Sequence, residues 1–222
     1  MKKIFIIVYI LIFFFSCSQQ NEKARFEFSK INTSFDKDAD WIDDITDILD
    51  WARAEIKNKT TYKSAYYSWG FPPENEWVCT DVIWRAFKTM WVDLKKLLDE
   101  DIRTNISDYP RVEWKPDPNI DFRRVPNVDV FLKKDAQVLE IDLDVNDRES
   151  LKNWQNWDII VFSKPNQHIA IVSDKRDKNG VPLLIHNYSD FPREDNWFFY
   201  KDKRYFPIIG HYRIKYGEGI WK

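Results

Sequence analysis

The sequence predicts an α+β domain in which helices come first, an antiparallel β-sheet follows, and a helix opening at Cys79 packs on that sheet. Three observations predict this. Apolar residues recur at three- and four-residue spacing as far as residue 134, which is the helical period. β-branched runs bounded by turn residues are confined to the chain after residue 156. Two of those runs are joined across Asn179-Gly180, a tight-turn pair that marks a hairpin.

The chain opens with Lys2 and Lys3 before an unbroken apolar run, Ile4 to Phe15. Twelve residues are too few to span a bilayer, which needs roughly 20, and they suit the apolar part of a secretory signal. The run ends in Phe14-Phe15-Ser16-Cys17, which resembles the lipobox where bacterial lipoprotein signals are cut, with Phe14 in place of the usual Leu. Residues 1–16 are therefore expected to be a signal peptide, and residues 17–39 a lipidated Cys17 with a polar tether. Residues 40–222 form the domain. Acyl chains on Cys17 would anchor the protein on the periplasmic side of the bacterial envelope, with the outer membrane favoured. An uncleaved single-pass anchor is the alternative.

Asp40 to Asn58 places Trp41, Ile45, Ile48, Leu49, Ala52 and Ile56 on one helical side. From Cys79, residues Val82, Ile83, Ala86, Phe87 and Met90 repeat the pattern. Thr80 and Asp81 suit its first turn, and Gly70, Pro72 and Pro73 mark the loop before it. Asp93 to Ile102 continues helically, and Asn127 to Lys134 is a shorter helix. Strand-like runs follow at 157–162, 168–173, 181–186 and 207–214. His168 opens one hairpin strand and His186 closes the next, so both lie at one end of the pair.

Composition excludes several classes. The 5 Gly cannot be arranged as G-x-G-x-x-G or as a Walker loop, so no nucleotide cofactor is expected. A formal charge of −2 gives no electrostatic case for nucleic acid. Cys79, His168, His186 and His211 contain no close metal-ligand spacing, and no metal is expected. The 11 Trp, 10 Tyr and 16 Phe serve a core and a cleft equally well, so they assign nothing.

With Cys17 lipidated, Cys79 is the one thiol left in the mature chain. At a helix N-terminus it meets the positive end of the dipole and unpaired N–H groups, which lower a thiol's pKa and can hold an oxyanion. Asp81 opposes that, so a partner imidazole is required. His168 is the expected base and His186 the residue that fixes its tautomer. Asn187 is the alternative orienter, although adjacent strand residues face opposite ways. His211 is expected to be structural. Arg123 and Arg124 sit in the loop from Asp117 to Asn127, which reads first as a self-bonded structural loop and second as a carboxylate-binding surface. Asp81 and Asn187 complete the possible substrate contacts.

The order of helix-opening Cys, strand-opening His and polar residue on the adjacent strand resembles the NlpC-type branch of papain-like cell-wall peptidases. That branch often begins the preceding strand with Gly-Asp; Trp157-Asp158-Ile159 keeps the Asp and lacks the Gly. More closely, the stretch from Trp77 to the C-terminus is similar to a bacterial family known as domain of unknown function twelve-eighty-seven. The matching residues are Cys79-Thr80-Asp81-Val82, Asp117 to Asn127, His168 to Asp174, Leu184-Ile185-His186-Asn187 and Gly210-His211-Tyr212-Arg213. The family usually has His where Phe122 stands.

The resemblance to the NlpC-type branch implies a papain-like fold and a thiol hydrolase, which the lipobox at Cys17 would anchor by lipid; a monomer is expected. Its substrate would be peptidoglycan stem peptides or another peptide. A catalytically silent envelope-binding lipoprotein and a thiol acyltransferase or thioesterase on the same scaffold are the alternatives.

Overall fold

The computed structural model describes residues 25–37, 39–201 and 203–215. The expected signal peptide and Cys17 lie outside the described residues. Among those described, no helix is long and apolar enough to cross a membrane.

The first helix, α1 (Asp44–Asn58), starts four residues later than its apolar pattern suggested. The reason is local. Asp36 accepts the backbone N–H groups of Asp40 and Trp41, and Trp41 takes a left-handed φ of 76° that a helix excludes. Trp41 is consequently 95% exposed rather than part of the core. Two short strands, β1 (Thr61–Tyr62) and β2 (Glu76–Trp77), pair in parallel and lead into α2 (Cys79–Thr89).

The expected continuation at Asp93 is a separate helix, α3 (Leu94–Thr104), because Trp91 at φ 59° breaks the chain and the Asp93 carboxylate caps Lys96 N–H. A 3-10 turn at Asp121–Arg123 precedes α4 (Val125–Asp135), which begins two residues earlier than predicted with Pro126 in its first turn.

β3 (Gln137–Val138) and the short α5 (Arg148–Lys152) then lead to β4 (Ile159–Phe162), β5 (His168–Arg176), β6 (Pro182–His186), β7 (Arg193–Asp195) and β8 (Ile208–Arg213). Together they form a six-stranded antiparallel sheet in the order β3-β8-β4-β5-β6-β7. The predicted class, α+β with an antiparallel sheet behind the Cys79 helix, is what the chain adopts.

Side-chain alternation divides the sheet into two faces. Ile159, Val161, Ile169, Ile171 and Ile185 pack with α1 and α2 through Ile48, Ile83, Phe87 and Met90. Ile160, Phe162, Ala170, Val172 and Leu184 pack on the other face with Trp154, Phe198 and Phe206. Both faces are covered, so the central strands read as continuous apolar runs rather than alternating ones.

The described part of the segment expected as a tether begins at Arg25. From Arg25 it lies against the domain. Arg25 N–H donates to the Lys178 carbonyl, the Ile31 backbone is bonded both ways by the Asn156 amide, and Phe28 sits under the Arg176 guanidinium.

Candidate functional site

Cys79 is the first residue of α2, directly after the extended Val78. The Asp81 carboxylate accepts Val78 N–H at 2.7 Å and closes the first turn, so the helix starts where the thiol is. On its other side Asp81 receives Trp84 Nε1–H at 2.8 Å and the Arg123 fork, Nε to Oδ1 at 2.9 Å and Nη2 to Oδ2 at 2.7 Å. Arg123 spends its remaining edge on the Ala65 carbonyl.

The two expected substrate contacts, Asp81 and Arg123, are therefore a buried structural pair with nothing left for a ligand. Arg124 stands at the head of α4, half-buried, with its charge beside Asp121. The loop around it is self-bonded, since Asp117 N–H donates to Asp121, Asn119 N–H to Asp117, and the Asn127 amide to the Asp121 carbonyl.

The Cys79 thiol is 7% exposed, and burial pushes it up to about 12, with Asp81 adding to the rise. Backbone N–H groups of Ile169, Thr80 and Cys79 itself face the sulfur and act the other way. The expected lowering by the helix terminus is present and is outweighed by desolvation.

Ile169 follows His168, so the sulfur meets β5 at the peptide that joins those two residues. The His168 ring turns to the other sheet face, stacked on Phe162 and Phe198 with centroids 6.1 and 4.8 Å away. Among the described residues no hydrogen bond joins the sulfur to an imidazole.

The two hairpin histidines do come together. Ile171 pairs with Ile185, which sets His186 opposite Ala170 and diagonal to His168 on one face. The ring centroids are 5.1 Å apart and the planes perpendicular. Burial, with His186 adding, holds His168 well below the ordinary imidazole value, so it rests neutral. His168 Nε2 and His186 Nδ1 are both buried without a hydrogen-bond partner.

Asn187 points to the opposite face, where its Nδ2 donates to the Trp77 carbonyl at 3.3 Å, so its contact is with the strand before Cys79 and not with His168. His211 is a core residue as expected, held between Asp158 at 2.9 Å and the Glu140 carbonyl at 2.7 Å, and stacked on Trp154.

Sequence reasoning missed Asp195. It lies on β7, pairs by register with Leu184, and accepts from His186 Nε2 at 3.4 Å and from Trp197 N–H at 3.0 Å. Arg193-Glu194-Asp195 is three charged residues and carries no strand signal; only the side-by-side register with β6 reveals it. With Arg193, Tyr188, Ser189, Trp197 and Phe198, Asp195 and His186 line a pocket of about 250 Å³. Among the described residues no group of three His, Cys, Asp or Glu is placed to hold a metal ion.

A buried Cys at the head of a helix, laid on an antiparallel sheet that presents a histidine pair on its far face, defines the class of domain. The chain belongs to the family described as domain of unknown function (DUF1287), whose model matches residues 49–214 and so spans Cys79, His168, His186 and Asp195. It is similar to the uncharacterized protein YijF of Escherichia coli (strain K12), with 34% identity over 175 residues, which is 75% of this chain and 80% of that protein. No solved structure matches.

Proposed function

We propose that the protein is a papain-like, NlpC-type thiol hydrolase, lipid-anchored through Cys17 in the bacterial envelope, that cleaves an amide bond in peptidoglycan stem peptides. The observation that supports this reading is the Ile169 N–H on the Cys79 sulfur, which sets the thiol at the peptide linking His168 to Ile169.

Both groups rest neutral, since burial raises the thiol to about 12 and depresses the imidazole. Since the His168 ring stacks on Phe162 and Phe198 across the sheet from the sulfur, this reading requires a rearrangement that brings the imidazole to Cys79; the proton then leaves sulfur as attack occurs, with His168 as general base, rather than from a stored ion pair. Sulfur bonds to the carbonyl carbon, the Cys79 N–H faces the oxyanion, and the C–N bond breaks as His168 returns the proton to the leaving amine. Water, deprotonated by His168, then hydrolyses the thioester. His186 orients His168.

Purified muropeptides incubated with wild type, Cys79→Ala and His168→Gln test the reading. Turnover by wild type alone is expected. Equal turnover by all three, or none by wild type across a broad panel, overturns it.

A second reading has its own observation. The thiol is nearly inaccessible and makes no bond to an imidazole, as in a scaffold that binds envelope peptides without cleaving them. It expects muropeptide binding that Cys79→Ala leaves unchanged, with no turnover and no acyl adduct on intact wild type.

A further inference from the structure

Two tryptophans stand almost bare at one end of the domain. Trp41, before α1, is 95% exposed, and Trp91, after α2, is 74% exposed. Both take left-handed φ values, 76° and 59°, where a bulky side chain is uncommon and Asn is accommodated more readily. At that exposure neither ring adds appreciably to the core. The two are tied to each other. The Lys37 ammonium donates to the Met90 carbonyl at 3.3 Å, and Asp36, beside Lys37, accepts Trp41 N–H.

This end is the one away from the thiol. From Cys79, which faces Ile169 N–H, α2 runs alongside β5 for roughly 16 Å. Near its far end Phe87 meets Trp157, whose N–H donates to the Val172 carbonyl. β5 continues past Val172 to the turn where the Lys178 carbonyl accepts Arg25 N–H, so the N-terminal segment enters at the same end. Arg25 is eight residues on from Cys17, a stretch that reaches at most about 28 Å. A domain of this size is roughly 40 Å across, so lipid on Cys17 would bring this end, and not the Cys79 end, to the membrane. Indole rings favour the interfacial layer of a bilayer, where the apolar body and the N–H both find partners. The charges nearby are mixed, Asp36, Asp40 and Asp93 against Lys37 and Lys88, so the rings and not attraction to anionic lipid lead the contact.

We propose that Trp41 and Trp91 form a membrane-contact patch that places both indoles in the interfacial layer of a lipid bilayer and holds the Cys79 end away from it. The proposal rests on the anchored reading for the lipid at Cys17, while the placement of the rings stands apart from it.

The test uses the full chain, purified with the anchor it carries and reconstituted into phosphatidylcholine vesicles with and without brominated acyl chains, which quench tryptophan fluorescence on contact. Wild type is compared with Trp41→Asn combined with Trp91→Asn, and with Trp69→Phe, a change in the exposed loop that leads to Cys79. Asn suits both backbones, and Trp41→Gly with Trp91→Gly repeats the measurement if the Asn pair fails to fold. Brominated lipid is expected to quench wild type, and the double variant is expected to lose about half of that quenching or more, because its missing rings are the interfacial ones. Trp69→Phe is expected to leave it unchanged.

Equal quenching of wild type and double variant, or an equal loss on Trp69→Phe, overturns the patch. Quenching that requires phosphatidylglycerol overturns a contact led by the rings. An intact mass without acyl chains on Cys17 would sink the anchor reading, and ring-dependent quenching in that protein would leave the patch standing. Wild type that stays off the vesicles overturns both.

Discussion

Arg123 closes on Asp81 through two short bonds, and the paired side chains are 2% and 0% exposed. The pair ties the first turn of the Cys79 helix to the 3-10 turn before α4, so the position of the thiol depends on it. Removing one partner strands a charge in the core, whereas removing both does not. Arg123→Met is expected to cost about 3–5 kcal/mol in urea unfolding. Asp81→Asn combined with Arg123→Met is expected to recover part of that loss. A single variant as stable as wild type would show the pair to be dispensable.

His168 gives the acid limb of stability. Its folded pKa lies well below 6.5, so in acid the unfolded chain takes up a proton that the native ring refuses. The contribution is complete above about pH 6.5 and is lost below it, at up to about 1.4 kcal/mol per pH unit. Urea midpoints at pH 7 and pH 5 measure it. His168→Phe, which keeps a ring between Phe162 and Phe198, is expected to flatten the difference. An unchanged difference would trace the acid limb to another group.

Cys79 gives the alkaline limb and a chemical readout. A thiol raised from 9.0 to about 12 stays protonated in the fold while the unfolded chain ionises, so stability is lost as pH rises above about 9. Near pH 7.5 its alkylation is expected to run about a thousandfold slower than that of an ordinary thiol, and to recover in urea. Fast alkylation of the native protein would mean that sulfur and His168 share an ion pair.

Gly180 ends the β5–β6 turn at φ +87°, and a Cβ there would lie 3.0 Å from Phe28 and 3.3 Å from Phe26. Gly180→Ala meets both backbone strain and the docked N-terminal segment. It is expected to cost about 1 kcal/mol or more in thermal unfolding and to speed protease cleavage within residues 25–31. A neutral substitution with unchanged cleavage would show that this segment does not depend on the turn.

The helix at Cys79 was legible because Thr80, Asp81 and the apolar repeat from Val82 all describe one helix start. The hairpin was legible from Asn179-Gly180 and its flanking β-branched runs, and with it the neighbourhood of His168 and His186. Less was legible where short-range polar bonds decide the backbone. Asp36 stops α1 from reaching Trp41, and Trp91 divides α2 from α3. Arg123 and Asp81 carry charges that suit a ligand equally well, and only their mutual burial shows that they serve each other.

The sequence by itself determined the class of fold, the place of Cys79 on a helix start and the meeting of two histidines at one hairpin end. Periodicity, capping and turn chemistry act within a few residues and are written in the order of the chain. Tertiary structure alone decided that burial overrides the helix terminus at Cys79, that Asn187 turns to Trp77, and that Asp195 stands beside His186. Those outcomes depend on desolvation and on sheet register between segments far apart in sequence, and neither quantity exists until the strands pair.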